Sequence, residues 1–220
     1  LNQEGVALGS DFERFGTRIN LASDIKEYLS VGTNSMFSYS DQNAPPTINQ
    51  ASNPIRNAIL YPNGIPVYMI DANGNTIIGD DGNPVYNFNS PIFPDMNPVY
   101  NSKNDIYNLE TYRLLSNVYA ELRFLNDFKF KSVGSVDYNY VDQFSFFNPY
   151  HGNSAGLGQG SAFGKMGYLL TNSNVLTYDK RFDAHKINFV GGMEFSKYRY
   201  RQISASAEGY PILGNQILPE

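Results

Sequence analysis

In the stretch Thr111-Tyr-Arg-Leu-Leu-Ser-Asn-Val-Tyr-Ala-Glu-Leu-Arg-Phe-Leu-Asn-Asp-Phe-Lys-Phe-Lys-Ser-Val-Gly-Ser-Val-Asp-Tyr-Asn-Tyr140, side chains change character at every second residue. Tyr112, Leu114, Ser116, Val118, Ala120, Leu122 and Phe124 make one face, and Arg113, Leu115, Asn117, Tyr119, Glu121 and Arg123 make the other. This is the period of a β-strand and not of a helix. The same alternation resumes at Phe128 and runs to Tyr140, so residues 125–127 read as the tight turn of a hairpin. With that turn, Phe124 lies opposite Phe128, Tyr112 opposite Tyr140, and Glu121 opposite Lys131, an opposite-charge pair. Tyr112 to Phe124 is a long strand: at about 3.3 Å per residue and a tilt near 45°, it projects to roughly 28 Å. Strands of soluble sandwiches usually have about five or six residues. An apolar face of this height, with aromatics at both ends, fits the apolar band of a transmembrane β-barrel and its two aromatic girdles.

Two further hairpins follow the same plan. Phe15, Thr17, Ile19 and Leu21 alternate with Arg14, Gly16, Arg18 and Asn20. A turn near Ser23-Asp24 leads into Leu29, Val31, Thr33, Phe37 and Tyr39. Later, residues 161–178 are strand-like with poor alternation at Asn172 and Asn174, which suggests a bulge, and Ile187, Phe189, Gly191, Met193 and Phe195 alternate again. The hairpins are thus expected at about 11–40, 109–141 and 161–196. Short turns alternate with long connections at 41–108, 141–160 and 197–220, rich in Asn, Pro, Gly, Tyr and Phe. Barrels of the outer membrane have short periplasmic turns and long external loops. The chain therefore reads as all-β, a partial transmembrane antiparallel β-barrel of about six strands. Six strands leave open edges in lipid, where unpaired backbone groups are costly, so the rest of a larger barrel is expected elsewhere. The short runs 65–70 and 76–78 about Asn73-Gly74 read as a hairpin within a loop rather than as two more barrel strands.

Composition agrees with this reading. Aromatics are 15% of the 220 residues, all Tyr or Phe, and only 17% are charged. The mean hydropathy of -0.38 and the lack of a long apolar run argue against a transmembrane helix, but a barrel strand needs only every second residue to be apolar. The net charge of -5 comes without a basic block, so nucleic acid is not expected as a partner. With no cysteine, there is neither a disulfide nor a thiolate metal site. Residues 1–10 lack the pattern of a signal peptide, which points to a mature start or a start inside a longer chain.

No catalytic constellation stands out. His151 and His185 are the only histidines, in no metal-binding spacing. Asp71-Ala72-Asn73-Gly74-Asn75, with Asp80 and Asp81 beyond, has the outline of a calcium loop over residues 71–83, but Thr76 and Gly82 stand where such a loop needs Gly and Glu, and Asn-Gly is a strong turn former. Gly156-Leu157-Gly158-Gln159-Gly160 lacks the Lys-Ser/Thr of a phosphate loop. No cofactor, no metal and no enzymatic activity are expected. The loop aromatics Tyr61, Tyr68, Phe93, Tyr100, Phe144, Phe146, Phe147 and Tyr150 are the candidates for binding a substrate or partner, since aromatic faces among amides suit sugars and peptides. For any single one of them, packing of the loops onto one another or onto a protein partner is the favoured account.

Several segments resemble SusC/RagA-type TonB-dependent transporters of Bacteroidota, and they come in the family's order. They are Gly9-Ser-Asp-Phe-Glu-Arg-Phe-Gly-Thr-Arg-Ile-Asn-Leu21 with Tyr28-Leu-Ser-Val-Gly32, Asn117-Val-Tyr-Ala-Glu121 before Phe128-Lys-Phe-Lys131, and Leu176-Thr-Tyr-Asp-Lys-Arg-Phe182 with His185-Lys-Ile-Asn188 and Gly191-Gly-Met-Glu194. The resemblance implies a 22-stranded barrel in the cell outer membrane that imports large nutrients, glycans or peptides. It further implies a SusD-like surface lipoprotein as partner and TonB acting through an N-terminal part, with its plug domain, that this chain lacks. A second reading, a soluble or surface-attached all-β binding or adhesion module, would bury Leu114, Val118 and Leu122 against a second sheet.

Overall fold

The structure, a computed structural model, describes residues 1–44, 53–91, 96–150 and 157–210. Its framework is one antiparallel sheet in strict sequence order: β1 (Asn2–Glu4), β2 (Asp11–Lys26), β3 (Leu29–Asn43), β4 (Ile106–Phe124), β5 (Phe128–Phe147), β6 (Gly158–Phe182) and β7 (His185–Tyr210). The six long strands have 15 to 26 residues each. The short β1, which adds a seventh strand to the six expected, has no alternation to announce it.

The hairpin of β4 and β5 has the expected register, with Phe124 opposite Phe128 and Tyr112 opposite Tyr140. Leu125 and Asn126 take positive φ values of 50° and 59° to make the turn. Glu121 does face Lys131 across the strands, but its carboxylate binds Arg123 at 3.0 Å and Lys129 at 3.9 Å. The Lys131 ammonium instead lies 4.5 Å from the centre of the Tyr119 ring. Tyr119 is itself laid across Gly32 of β3: a Cβ there would come within 2.5 Å of the ring, so only glycine fits.

Elsewhere the strands run further than expected. The first turn falls at Glu27-Tyr28, not at Ser23-Asp24, because both of these stay paired, with Val31 and Ser30. The Ser30 hydroxyl donates to the Asp24 carboxylate, so a residue with turn chemistry is satisfied inside the sheet. The irregularity here is at Ile25, between paired Asp24 and Lys26. No bulge occurs near Asn172, where the register is continuous on both sides. Asn172 and Asn174 sit on the apolar face with their amides engaged: the Asn174 amide donates to Asn172 Oδ1 at 2.6 Å, and the Asn172 amide reaches the Val133 carbonyl at 3.4 Å. The third turn is Asp183-Ala184. Residues 197–210, expected in a loop, belong to β7, whose pairing with β6 continues to Tyr210. Residues 211–220 lie outside the described residues.

Register sorts the side chains into two surfaces. One carries Phe15, Ile19, Leu21, Leu29, Val31, Leu114, Val118, Leu122, Phe130, Val136, Leu176, Phe189 and Met193. Aromatic rows border it at both ends. Phe124, Phe128 and Tyr178 follow one another near the turns, with ring centres 5.5 and 4.8 Å apart. Tyr39, Tyr112 and Tyr140 do so near the loops, at 4.8 and 6.0 Å. Directly beyond the tyrosines, four carboxylates stand side by side on successive strands: Glu13, Asp41, Glu110 and Asp142. Like charges in such a row are tolerable only in contact with water and counter-ions, so the row marks the edge of the apolar band. The opposite surface is polar, with Arg18, Asn20, Asn34, Asn117, Lys129 and the exposed pair Arg113–Asp137 at 3.1 Å.

Among the described residues no second sheet covers the apolar surface: Leu114, Val118 and Leu122 are 37, 59 and 39% exposed. That is the arrangement of a barrel wall, one side against hydrocarbon and the other against an aqueous lumen. Among the described residues no helix is long and apolar enough to cross a membrane, and crossing falls to the strands. We expect Val118→Arg in the full-length protein to cost about 2–4 kcal/mol in a urea titration of barrels in lipid vesicles, and Asn117→Arg next to it almost nothing. The opposite ranking would reverse the assignment of the two faces.

Candidate functional site

The long connections gather at one end of the sheet. The first contains two seven-residue helices, α1 (Pro54–Leu60) and α2 (Pro98–Asn104), each opened by an Asn-Pro pair. Asn53 Oδ1 accepts from the Arg56 amide at 2.8 Å, and Asn97 Oδ1 accepts from Val99 and Tyr100, both at 3.1 Å. An asparagine cap followed by proline at the first helical position is a recognised helix start. Asn-Pro also occurs at Asn83-Pro84 and Asn148-Pro149, which open no helix among the described residues, so the pair alone does not single out these two starts.

Between the helices, three short limbs bond to one another in a ring. Met69 N–H donates to Val85, Ile77 to Met69, and Val85 to Ile77, at 2.8 to 3.0 Å. Isolated bridges pair Tyr68 with Tyr86, Ile70 with Thr76, and Ile78 with Pro84. The limbs at 65–70 and 76–78 therefore stay out of the barrel sheet. The turns of the ring are Asx turns: Asp71 Oδ1 accepts from the amides of Asn73 and Asn75, and Asp81 Oδ1 from that of Asn83. The Asn75 amide, backbone first and then side chain, holds the Asp71 carboxyl below its ordinary range, and Asn83 does the same for Asp81. These carboxylates are committed to their own turns. Among the described residues no group of three or more Asp, Glu, His or Cys could hold a metal ion.

Buried asparagines join the parts. Asn97, 1% exposed, caps α2 with its oxygen, while its amide donates to the carbonyls of Val67 and Asn87 at 2.8 and 2.9 Å. Asn148, just after β5, donates to Asn101 Oδ1 at 3.0 Å and to Asp105 Oδ1, and so ties the second loop to the first. A cleft of about 320 Å³ opens between α1, α2 and Leu8, with Tyr61, Ile65, Val67 and Val99 on its walls and Asn97 among its polar groups.

Three of the sequence candidates converge. Tyr68, Tyr86, Tyr100, Phe88 and Tyr150 form a continuous aromatic cluster with ring centres 4.7 to 5.8 Å apart. Tyr86 and Phe88 escaped the sequence reading, although Tyr86-Asn87-Phe88 follows the Gly82-Asn83 turn directly. The Lys103 ammonium donates to the Tyr86 hydroxyl at 3.4 Å, which raises the Lys103 pKa, and burial raises that of Tyr100. Tyr150 is 49% exposed and stacks on Phe88, so it offers an open ring face. The other candidates lie apart. Tyr61 lines the cleft, its hydroxyl 3.5 Å from the Met96 carbonyl. Phe144 and Phe146 are strand residues of β5, and Phe146 is fully buried edge-on against Tyr210. Phe147 closes β5 half-buried. His185 is exposed at the start of β7. Phe93, His151 and Gly156 lie outside the described residues.

Long strands with one bare apolar face, framed by aromatic rows and capped by a loop assembly at one end, define a section of a transmembrane β-barrel. No protein-family model matches the chain. It is 27% identical over 216 residues to "TonB-dependent receptor P3" of Formosa agariphila, an alignment covering 94% of this chain and 20% of that protein. Its fold is similar to solved structures of the RagAB peptide transporter (TM-score 0.68, 20% identity, 96% of this chain and 23% of that one) and of the RagAB peptide importer in the "open-open" state (TM-score 0.72, 22% identity, 99% and 24%). The chain spans about a fifth to a quarter of the length of these relatives. The likeness shows the fold: this chain is built like a section of the barrel wall of these transporters, and its sequence is similar to that of a TonB-dependent receptor.

Two outcomes follow for the loops. Asn97→Ala should speed amide exchange at Val99 and Tyr100 by roughly ten-fold or more, since it strips the cap and leaves buried carbonyls unpaired, while the barrel unfolds at its usual denaturant concentration. For Asp71, whose folded pKa lies below the ordinary 3.8, the ionised carboxylate supports its turn at every pH above that ordinary value and ceases to as the pH falls through the lower folded one. Exchange at Asn73 and Asn75, measured against Asp71→Asn, should therefore diverge from the variant at neutral pH and converge with it only in strong acid.

Proposed function

We propose that this chain supplies wall strands and external loops to an outer-membrane importer of large nutrients, peptides or glycans, driven by TonB through parts of the protein outside this chain. The observation that carries the reading is the two-faced sheet with its paired aromatic rows, supported by the likeness to a TonB-dependent receptor and to RagAB. Its work is selective binding and gated passage, with no bond made or broken. The loop end faces outward, because the opposite end has only the two- and three-residue turns that barrels keep on the periplasmic side. There the aromatic cluster around Tyr100 and Tyr150 presents ring faces among amides, a surface suited to sugar rings or peptide side chains. Phe93, Phe144, Phe146, Phe147, Tyr61 and Tyr68 are carried in the same proposal as loop and strand-end positions that shape this surface or the seat of a SusD-like surface lipoprotein.

Uptake by cells decides the matter. Deleting the gene for the full-length protein should abolish entry of fluorescent peptides or oligosaccharides too large for general porins, and so should collapsing the proton-motive force in unmutated cells. Entry that survives both treatments would refute the importer, and a full-length protein that stays monodisperse in buffer without detergent would refute the membrane location. Tyr150→Ala should weaken binding of the transported nutrient by roughly three- to ten-fold in calorimetry of the purified protein, the worth of one aromatic stacking contact.

A further inference from the structure

The apolar surface changes character on β7 alone. Below, on the side of the turns, this strand shows Ile187, Phe189, Met193 and Phe195 to the lipid side. The next three positions on that side are Lys197, Arg199 and Arg201, all exposed. Register sets Lys197 opposite Leu170, Arg199 opposite Tyr168 and Arg201 opposite Met166. Tyr168 in turn faces Tyr138, and Met166 faces Tyr140. Arg201 is thus in register with the tyrosine row that closes the apolar band at its loop end, and Arg199 and Lys197 follow one and two same-side steps below it, within the band.

None of the three makes an ion pair among the described residues. The carboxylates Glu13, Asp41, Glu110 and Asp142 lie on β2 to β5, and β6 separates them from the trio with an uncharged stretch from Gly160 to Tyr178 on this side. Glu194 and Glu208 of β7 point to the lumen side. Successive same-side residues of a strand are roughly 6–7 Å apart, so the three charges repel one another, and β6 offers no carboxylate on this side to offset them. The apolar stems can lie on Leu170, Tyr168 and Met166 while the charged heads rise to the interface. Guanidinium groups match phosphate oxygens in pairs.

We propose that Lys197, Arg199 and Arg201 bind the phosphate groups of a phosphorylated glycolipid of the outer leaflet, holding it against β7 with its acyl chains along Phe195, Met193 and Phe189. The occupant is a lipid and not a soluble anion, because the site shares its side with the residues that face hydrocarbon and its outermost member, Arg201, is in register with the tyrosine row that borders the apolar band. The inference rests on the transmembrane reading and on the outward direction of the loops.

The test uses the full-length protein, purified in detergent, with lipid A as the probe and native mass spectrometry as the readout. The unmutated protein should bind diphosphorylated lipid A more tightly than its dephosphorylated form. The triple variant Lys197→Gln/Arg199→Gln/Arg201→Gln should lose at least about ten-fold in that affinity. Heat-modifiable migration in gels verifies that the variant forms a barrel; if it does not, the single variant Arg199→Gln takes its place, with a smaller loss expected. Equal binding by variant and unmutated protein overturns the proposal, as does displacement of lipid A by millimolar inorganic phosphate. Loss of a protein partner with lipid binding unchanged also overturns it and assigns the trio to a protein interface. Failure of the transmembrane reading itself would be recognised separately, by an unmutated protein that needs no detergent.

Discussion

Backbone amides cannot be left unpaired in hydrocarbon, and nearly every feature of this chain follows from that requirement. It explains why the strands are three to four times the length usual in soluble sheets, why neighbours in sequence are neighbours in the sheet, and why register slips only at Ile25 and beside Gly158. Once register is continuous, the side of every residue is settled by parity. The aromatic rows, the carboxylate row and the bare apolar band are then consequences of one pairing scheme and need no separate cause.

How much of this could be read beforehand varied with the local chemistry. In residues 111–140 alternation, turn and cross-strand partners all agree, and the hairpin was legible down to individual pairs. Ser23-Asp24 misled because composition announces a turn where tertiary pairing overrides it and Ser30 satisfies the aspartate. Asn172 and Asn174 looked like a break because two amides on an apolar face seem costly until one sees that Asn174 donates to Asn172 and Asn172 to β5. Lys197, Arg199 and Arg201 ended the alternation that would have carried β7 further, so the strand was judged to stop where its surroundings, not its conformation, change.

The loop assembly was legible in content and not in arrangement. That Tyr68, Tyr100 and Tyr150 were candidates followed from residue type; that they meet at Phe88 and Tyr86 depends on contacts between residues far apart in sequence, such as Phe88 with Tyr150 and Tyr100 with Tyr150. The two Asn-Pro helix starts were local signals, but Asn83-Pro84 and Asn148-Pro149 carry the same pair without a described helix, so the signal did not discriminate. Asn97 and Asn148 were not legible either, because a buried asparagine is distinguished from an exposed one only by what surrounds it. Their side-chain hydrogen bonds tie the two loops together where few apolar side chains are buried.

The three-limbed ring between the helices satisfies its main-chain groups internally and touches its neighbours mainly through Tyr68, Tyr86 and the Asn97 carboxamide. Such a unit behaves as an interchangeable cartridge: its tips at Gly74 and Gly82 can lengthen, shrink or be replaced without any strand losing its partner. Related proteins are therefore free to diversify here first, with the wall beneath left untouched.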